Sequence, residues 1–444
     1  MLPIAPESTN VTPLGLAFVA IMMLLTIGLP RALAFAPLLM TACWMTLGQR
    51  IVIAGINFPS LRLVILAVFL RLLMRGELSK IEWTKLDRIL FWSHITNFTV
   101  FVLLWHTGDA VINRLGMLFN GFGMYFGFRS WIRTREDVVR VAQTFVLVLL
   151  PVAGMMVVEK YTGRNYFSIL GGVPEMTVIR DGALRCQGPF SHPILAGTFG
   201  AVWLPVFVGL IWSKRAVFLP LLGIVASVAM TVTSASSGPV FTLAAAALAV
   251  FMWPLHRHMR NFRIAVVVGL VVLQLAMNAP IWFIIARINI ISGSTGWHRA
   301  HLIDTAVKHL PQWFLLGVKD VAAWGVFAGD VTNHYLLEGF RGGFITMVLF
   351  IWTMVLAYKY VGLAIRREIL WNPSSKDTKL MWTLGATVVA HMVTFISVAY
   401  FEGQSMMNWY LTLAMIAAVY TATGPVAQER RGMATAAVGN SPTM

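Results

Sequence analysis

The stretch 141–158, VAQTFVLVLLPVAGMMVV, decides the fold class, because it runs for eighteen residues without a charge. A helix needs about 20 apolar residues to cross a hydrocarbon core roughly 30 Å thick. Stretches of this kind recur along the whole chain, so the first of them, 14–29, is better explained as one span among many than as a signal peptide. The sequence therefore predicts a polytopic membrane protein.

Composition and charge agree with this prediction. The chain has 444 residues, of which 58% are hydrophobic and only 12% are charged, and its mean hydropathy is +0.75. A soluble domain averages roughly 25% charged residues. The formal net charge of +16 comes from basic residues that lie mostly in short loops between apolar segments. This is the positive-inside pattern of a membrane protein, so we predict no nucleic-acid partner.

Thirteen apolar segments are candidate spans, namely 14–29, 32–48, 58–74, 89–106, 111–128, 141–158, 193–212, 216–233, 239–255, 264–285, 343–363, 380–399 and 408–423. Two of them are short or carry Arg62 and Arg71, so we predict an all-α protein with about 12 transmembrane helices. The basic loops all fall on one side, which should be cytoplasmic, namely 75–88, 129–140, 214–215, 257–263, 366–379 and 430–431. The side of the N-terminus stays open.

The spans and loops divide the chain into five parts. These are N-terminal membrane helices (1–88), central membrane helices (89–278) with an external loop at 159–192, a long external loop (279–342), C-terminal membrane helices (343–425) and a cytoplasmic tail (426–444). Long external loops are the natural place for a functional site when the cytoplasmic loops are short.

In the second external loop, the spacing of apolar residues predicts a short helix over Trp297–Leu310 that lies along the membrane surface. Its apolar face would carry Leu302, Ile303, Ala306 and Leu310. Its polar face would carry His301, Asp304, Thr305 and Lys308, with Asp304 and Lys308 spaced for an ion pair.

The first polar cluster is Arg180-Asp-Gly-Ala-Leu-Arg185-Cys-Gln-Gly-Pro-Phe-Ser-His192-Pro193. Arginine offers forked donors for phosphate, and a helix that begins at Pro193 would add backbone donors. Two readings stay open for the arginines, phosphate binding and local pairing, whereas His192 is better explained as a structural cap. The Ser-rich turn 233–239 is likewise better explained by helix capping than by sugar or phosphate binding.

The third cluster joins Trp297-His298-Arg299-Ala-His301 to Asp330-Val-Thr-Asn-His334-Tyr, with Glu338 and Arg341 following. A histidine in this position could act as a base or orient an acceptor hydroxyl. His298 and His301 lack a third ligand at matching spacing, so we predict no metal site. Cys43 and Cys186 should be free thiols. We predict no cofactor.

Several nucleotide and hydrolase motifs are missing from the sequence. It has no Walker A motif, no G-x-S-x-G elbow, no H-E-x-x-H motif and no D-x-D carboxylate pair for a metal-bound nucleotide sugar. The predicted cytoplasmic loops are too short to bind a nucleotide. An activated substrate would therefore be lipid-linked and met at the external face.

The layout resembles the O-antigen ligase and polysaccharide polymerase superfamily of bacterial inner membranes. The resemblance covers roughly residues 89–400 and rests on two motifs. One is Gly-Pro-Phe-Ser-His-Pro at 188–193, and the other is Asn-His-Tyr-Leu at 333–336 with Glu-Gly and Arg-Gly-Gly at 338–343. Two positions depart from the family pattern, because Trp297 here precedes Arg299 and no arginine stands between the serines and Gly238.

The resemblance implies metal-independent glycosyl transfer at the periplasmic face, with an undecaprenyl-diphosphate-linked glycan as donor. Carried over by position, His334 and Arg299 are the expected catalytic residues, and Arg185, Arg180 and Arg341 are expected to bind the diphosphate. Membrane lipid and other polysaccharide export components are the expected partners. The fixed cations would stabilise charge on the departing diphosphate.

Three functions remain open at this stage. The favoured one is a polymerase of exopolysaccharide or O-antigen repeat units, and the nearest alternative is a ligase that moves finished glycan onto lipid A core. A polysaccharide or lipid transporter, or flippase, is the alternative from another class. Transporters favour ionisable residues near the bilayer midplane, whereas the polar clusters here lie in the external loops.

Overall fold

The computed structural model describes residues 9–53, 56–287, 296–325, 329–401 and 403–424. Two short hairpins interrupt a mainly helical chain: β1 (Arg50–Ile53) pairs antiparallel with β2 (Ile56–Pro59), and β3 (Val178–Arg180) with β4 (Ala183–Arg185). The α-helices of the described residues are α1 (Pro13–Gly28), α2 (Ala36–Trp44), α3 (Ser60–Met74), α4 (Lys85–Trp105), α5 (Gly108–Trp131), α6 (Arg135–Thr162), α7 (Pro193–Ala201), α8 (Leu204–Trp212), α9 (Phe218–Thr233), α10 (Ser237–Phe251), α11 (Met259–Ala276), α12 (Ile284–Arg287), α13 (Gly296–Lys308), α14 (Leu310–Trp313), α15 (His334–Trp371), α16 (Asp377–Ser397) and α17 (Gly403–Ala422).

Every predicted apolar segment contains helix, which confirms the helical fold class, although 32–48 runs past the end of α2 and 58–74 begins on β2. In the described part of the chain, six helical segments are long and apolar enough to cross a membrane, namely Lys85–Trp105, Arg135–Thr162, Pro193–Trp212, Trp253–Ala276, His334–Trp371 and Asp377–Ser397. Four shorter apolar segments accompany them, namely Pro13–Gly28, Arg31–Trp44, Phe218–Thr233 and Ser237–Phe251. The chain is a membrane protein.

Helix α11 shows most directly that the chain needs an apolar surrounding. Its residues 264–273 carry no polar side chain, yet none of its residues is buried, and Val267 and Leu275 are 60% and 81% exposed. A helix that is hydrophobic all round is normally covered by protein or lies in a membrane. Nothing in the described residues covers α11, so lipid is the environment that its composition fits.

One end of the helix bundle is held together by buried ion pairs. Arg135 at the start of α6 pairs with Glu368 near the end of α15, and its guanidinium also lies 3.2 Å from Asp377. Asp87 lies 3.1 Å from Arg129. These contacts confirm that the basic segments 75–88, 129–140 and 366–379 meet at one end of the bundle.

The N-terminal helices join the same end of the bundle. Arg31 contacts Asp137 at 2.9 Å, just after α1 ends, and Arg71 near the end of α3 contacts Glu77 at 2.9 Å. The start of α1 therefore lies at the opposite end, where Asn10 bridges to Arg50 of the first hairpin. The basic residues that follow α1 and end α3 therefore join the same group of buried ion pairs as α5 and α6.

The second long loop contains the helix that the sequence predicts, over Gly296–Lys308. Lys308 contacts Asp304 at 2.7 Å, which confirms that ion pair. The predicted apolar face packs in one cluster with Trp313, Leu336 and Phe340. The predicted polar face is partly wrong, because Asp304 and Thr305 are each only 8% exposed. The helix is therefore packed on two sides and not only on one.

The loop ends earlier than predicted, because α15 begins at His334 rather than at 343. The predicted boundary coincides instead with a break in α15, where Gly343 has φ +73°. Only glycine adopts this conformation readily. The backbone groups that the break releases find partners: Phe344 N–H donates to the Phe314 carbonyl at 2.8 Å, and the Phe340 carbonyl accepts from Val318 N–H at 2.8 Å.

Candidate functional site

The first two turns of α15 present three ionisable side chains to one cavity. His334, Glu338 and Arg341 follow a spacing of four and three residues, so they share one face of the helix. Asn333 caps this helix, and its side chain accepts a hydrogen bond from Leu336 N–H at 3.1 Å. The cavity has a volume of about 810 Å³, which is within the range of small-molecule sites.

His334 is fixed by its surroundings. The ring is 2% exposed and packs against Phe350 and Phe395, each with its centroid 5.0 Å away. Nδ1 accepts a hydrogen bond from Tyr400 N–H at 3.1 Å. A backbone N–H can only donate, so Nδ1 must carry the lone pair and the neutral ring carries its hydrogen on Nε2. No described residue accepts a hydrogen bond from that Nε2.

Glu338 lies between the histidine and the opposite wall of the cavity. One carboxylate oxygen is 3.8 Å from His334 Nε2, and the other accepts a hydrogen bond from Asn97 Nδ2 of α4 at 3.0 Å. The side chain is 19% exposed. The carboxylate is therefore oriented by protein on one side and open to the cavity on the other.

Three arginines line the cavity without a carboxylate partner among the described residues. Arg114 of α5 is 4% exposed, and its guanidinium carbon lies 3.6 Å from the centre of the Phe101 ring. Its Nε has no hydrogen-bond partner in the described structure. Arg341 and Arg62 form no ion pair with a described residue either, although Arg62 Nη1 donates to the Asn57 carbonyl at 2.5 Å. Such a cluster is ready to receive an anion.

Arg180 and Arg185 lie outside this cavity, on the β3–β4 hairpin. Arg185 Nη2 donates to Ser236 Oγ at 2.7 Å, so the Ser-rich turn anchors this arginine as well as ending a helix. Burial and the nearby Arg180 lower the pKa of Arg185. Arg180 is 47% exposed, with its Nε 3.6 Å from Asp181. The hairpin thus presents one anchored and one exposed guanidinium.

His192 is a structural cap, as predicted: its Nδ1 accepts a hydrogen bond from Ile194 N–H at 3.2 Å, one residue after Pro193 begins α7. Partial burial and the neighbouring Arg185 lower the pKa of His192, while Asp330 acts in the opposite direction. Contacts of the Ser-rich turn link the hairpin to the cavity: Ser236 accepts from Arg185, and a Cβ at Gly238 would lie 3.4 Å from Ser397 Oγ, three residues before the Tyr400 N–H that bonds His334.

Arg299 belongs to neither group. It lies on α13, is 4% exposed, and its Nε has no hydrogen-bond partner in the described residues. Burial lowers its pKa to about 10, so the side chain is still a cation at neutral pH. Of the five predicted site residues, the cavity therefore brings His334 and Arg341 together, the hairpin carries Arg180 and Arg185, and Arg299 lies apart.

No group of three or more histidine, cysteine or acidic side chains suited to a metal occurs in the described residues. Cys43 and Cys186 are both buried free thiols. Burial, with some contribution from Glu159, raises the pKa of Cys186 to about 12.

Glu338 stands in the third polar cluster of the sequence without a role assigned to it, and Arg114 and Asn97 were not among the predicted site residues. Arg114 had a detectable signal, because it is a charge inside the candidate span 111–128, and such residues are functional candidates by default. Glu338 had the weaker signal of standing one helical turn after His334. Asn97 had none, since its role depends on how α4 packs against α15.

Comparison with protein-family models finds no match to this chain. Comparison with curated proteins finds none either. The candidate site therefore rests on its own geometry.

Proposed function

We propose that this protein is a membrane glycosyltransferase that moves an undecaprenyl-diphosphate-linked glycan at the periplasmic face of the bacterial inner membrane. Its favoured reaction is the polymerisation of exopolysaccharide or O-antigen repeat units. In this proposal the chain crosses the membrane about 12 times, and the segments 159–192 and 279–333 are periplasmic.

The observation that carries the proposal is the cavity itself. It combines a net excess of unpaired arginines with an oriented histidine, a carboxylate and several amides. Guanidinium groups suit a diphosphate, because they offer paired donors to its oxygens. Amides such as Asn97 and Asn120 suit sugar hydroxyls, because they both donate and accept hydrogen bonds.

Each group of residues would have a separate role in glycosyl transfer. Arg114 and Arg341 would stabilise the charge that develops on the leaving diphosphate, while His334 holds the acceptor hydroxyl. Arg185 and Arg180, on the neighbouring hairpin, would hold the diphosphate of a lipid-linked glycan as it approaches. Arg299 is a buried cation in the second long segment, and the activity of the Arg299→Ala variant tests whether it takes part in the reaction.

The test uses purified protein in proteoliposomes and, as probe, the lipid-linked glycan extracted from a strain that lacks this protein. A ladder of longer lipid-linked glycans supports a polymerase. Transfer only after lipid A core is added identifies a ligase. The variants Arg185→Ala, Arg299→Ala and His334→Ala are compared with Arg164→Ala, an exposed arginine paired with Glu175, which should behave as wild type. A wild-type protein that leaves the sugar–diphosphate bond intact contradicts transfer.

Two observations favour a second candidate, a transporter of lipid-linked glycan. Helix α15 is broken at Gly342 and Gly343, and Arg114 is the one charge in the segment 111–128 of α5; both are features of transporter helices. In the same proteoliposomes a transporter would move the probe between leaflets unchanged. Protection of the probe from an added glycosidase measures that movement.

A further inference from the structure

The hydrogen bond from Tyr400 N–H excludes the role of general base for His334. A histidine acts as a general base through a ring nitrogen that bears a lone pair. In the neutral ring Nδ1 has the lone pair but is occupied by the backbone donor, and Nε2, the only nitrogen left to a substrate, already carries a hydrogen. His334 can therefore donate to a ligand from Nε2, but it has no free lone pair with which to take a proton.

Glu338 is placed to take the proton that His334 cannot. Its nearer oxygen is 3.8 Å from His334 Nε2, so an acceptor hydroxyl that contacts the histidine is also within reach of the carboxylate. Asn97 holds the second oxygen at 3.0 Å and so fixes the plane of the carboxylate. Because Glu338 is partly exposed to the cavity, its first oxygen remains accessible to a ligand.

We propose that Glu338 is the proton acceptor of the transfer reaction and that His334 orients the attacking hydroxyl as a hydrogen-bond donor. This inference rests on the proposed function. In the step, the acceptor oxygen forms a bond to the anomeric carbon while its proton passes to a Glu338 oxygen. The bond between the anomeric carbon and the diphosphate oxygen breaks, and the diphosphate leaves with the electron pair. Arg114 and Arg341 face the same cavity and stabilise that charge.

The charged and titratable groups around Glu338 come from several helices. His334 and Arg341 share its own helix. The other groups that line the cavity are Arg62 of α3, His94 of α4, Asp109 and Arg114 of α5, and Tyr410 of α17, so His94→Gln is measured beside His334→Gln. Arginines keep their charge across the working pH range. If the rate depends on pH in wild type and in a His334 variant, but not in a Glu338 variant, then the group that titrates is the Glu338 carboxylate.

The experiment measures kcat, KM and their pH dependence in the proteoliposome assay for Glu338→Gln, Glu338→Asp and His334→Gln. Glu338→Gln should lower kcat roughly 100- to 10,000-fold, with KM changed less than about threefold. It should also abolish the acidic limb of the pH profile, which His334→Gln should keep. Glu136→Gln, at an exposed carboxylate in the first turn of α6 and outside the cavity, should stay within about threefold of wild type.

Chemical rescue separates a proton acceptor from a structural carboxylate. Sodium formate should restore part of the activity of Glu338→Ala, and imidazole should not restore His334→Ala. Rescue of His334→Ala by imidazole, with none of Glu338→Ala by formate, would overturn the assignment.

The outcomes keep the two proposals apart. No transfer by wild type refutes the proposed function, whereas wild-type transfer with a fully active Glu338→Gln protein refutes only the role of Glu338. If Glu338→Gln fails to fold, Glu338→Asp tests the role of the carboxylate instead. A proton acceptor that is shorter by one methylene should have a lower kcat but should retain the acidic limb of the pH profile. An Asp variant with wild-type kcat contradicts the inference.

Discussion

Replacing Arg114 by methionine should weaken transfer without weakening the fold. The side chain is 4% exposed; burial and the neighbouring Arg341 disfavour its charge, and Glu338 offsets them only in part. Its Nη1 donates a hydrogen bond to the weak acceptor Met117 Sδ at 2.8 Å. A buried charge without a partner is unfavourable, and methionine keeps an apolar contact with Phe101. We therefore expect an unchanged or raised melting temperature in detergent.

The expected loss of activity follows from one charged contact. A hydrogen bond to an ionised group contributes about 1.5–3 kcal/mol, and about 1.4 kcal/mol corresponds to a factor of ten. If Arg114 binds the diphosphate more tightly as it leaves, kcat/KM should fall roughly 10- to 150-fold. The measurement is transfer of the extracted lipid-linked glycan in proteoliposomes, alongside thermal unfolding followed by tryptophan fluorescence.

Arg135→Met is the matched contrast. Arg135 is also buried, but it pairs with the buried carboxylate of Glu368 and contacts Asp377. Its removal leaves negative charge without compensation, which costs about 3–5 kcal/mol. If Arg114→Met destabilises the protein as much as Arg135→Met, or leaves kcat/KM within threefold of wild type, then Arg114 is a structural residue and the reasoning is wrong.

Three further substitutions or reactions test the local structure. Gly343→Ala should destabilise the protein by about 2–4 kcal/mol, because a Cβ there would lie 2.2 Å from the Leu315 carbonyl at positive φ. Gly362→Ala in the same helix meets nothing within 4 Å and should be neutral or slightly stabilising in the same thermal melt. Ser236→Ala should cost about 1 kcal/mol by removing the acceptor of Arg185, and an unchanged melting temperature would show that this bond is not formed. Cys186 should resist iodoacetamide up to about pH 9 in the folded protein and react after denaturation, because its pKa of about 12 leaves little thiolate; rapid labelling at pH 8 would contradict its burial.

The helical fold could be predicted because its signal is local. An uncharged stretch such as 141–158 has one stable form in lipid, and it lies within α6 as expected. The start of α15 could not be predicted in the same way, because residues 334–342 include charged residues and glycines, a composition that is typical of a loop. It is helical because Phe340 and Leu336 pack against the helix of the second loop, which is a long-range contact.

The site was predictable only in part for the same reason. His334 and Arg341 stand near each other in the sequence and were found together. Arg185 was found by its motif, but its contact is Ser236, which lies 51 residues further on. Arg114 reaches the cavity from α5, and no sequence spacing relates position 114 to position 334. Helix packing brings these groups together, and packing is a long-range property that no local spacing in the sequence encodes.

The pairing of arginines separates the two ends of the bundle and bears on the substrate. At one end, Arg135 and Arg129 meet buried carboxylates, so their charge is balanced within the protein. At the other, Arg62, Arg114 and Arg341 line the cavity, and the carboxylates of Glu338 and the exposed Asp109 offset only part of their charge. A neutral glycan would leave the remaining positive charge uncompensated, whereas a diphosphate would supply further negative charge. The electrostatics therefore favour a substrate whose sugar is still joined to its diphosphate, which is the donor that glycosyl transfer requires.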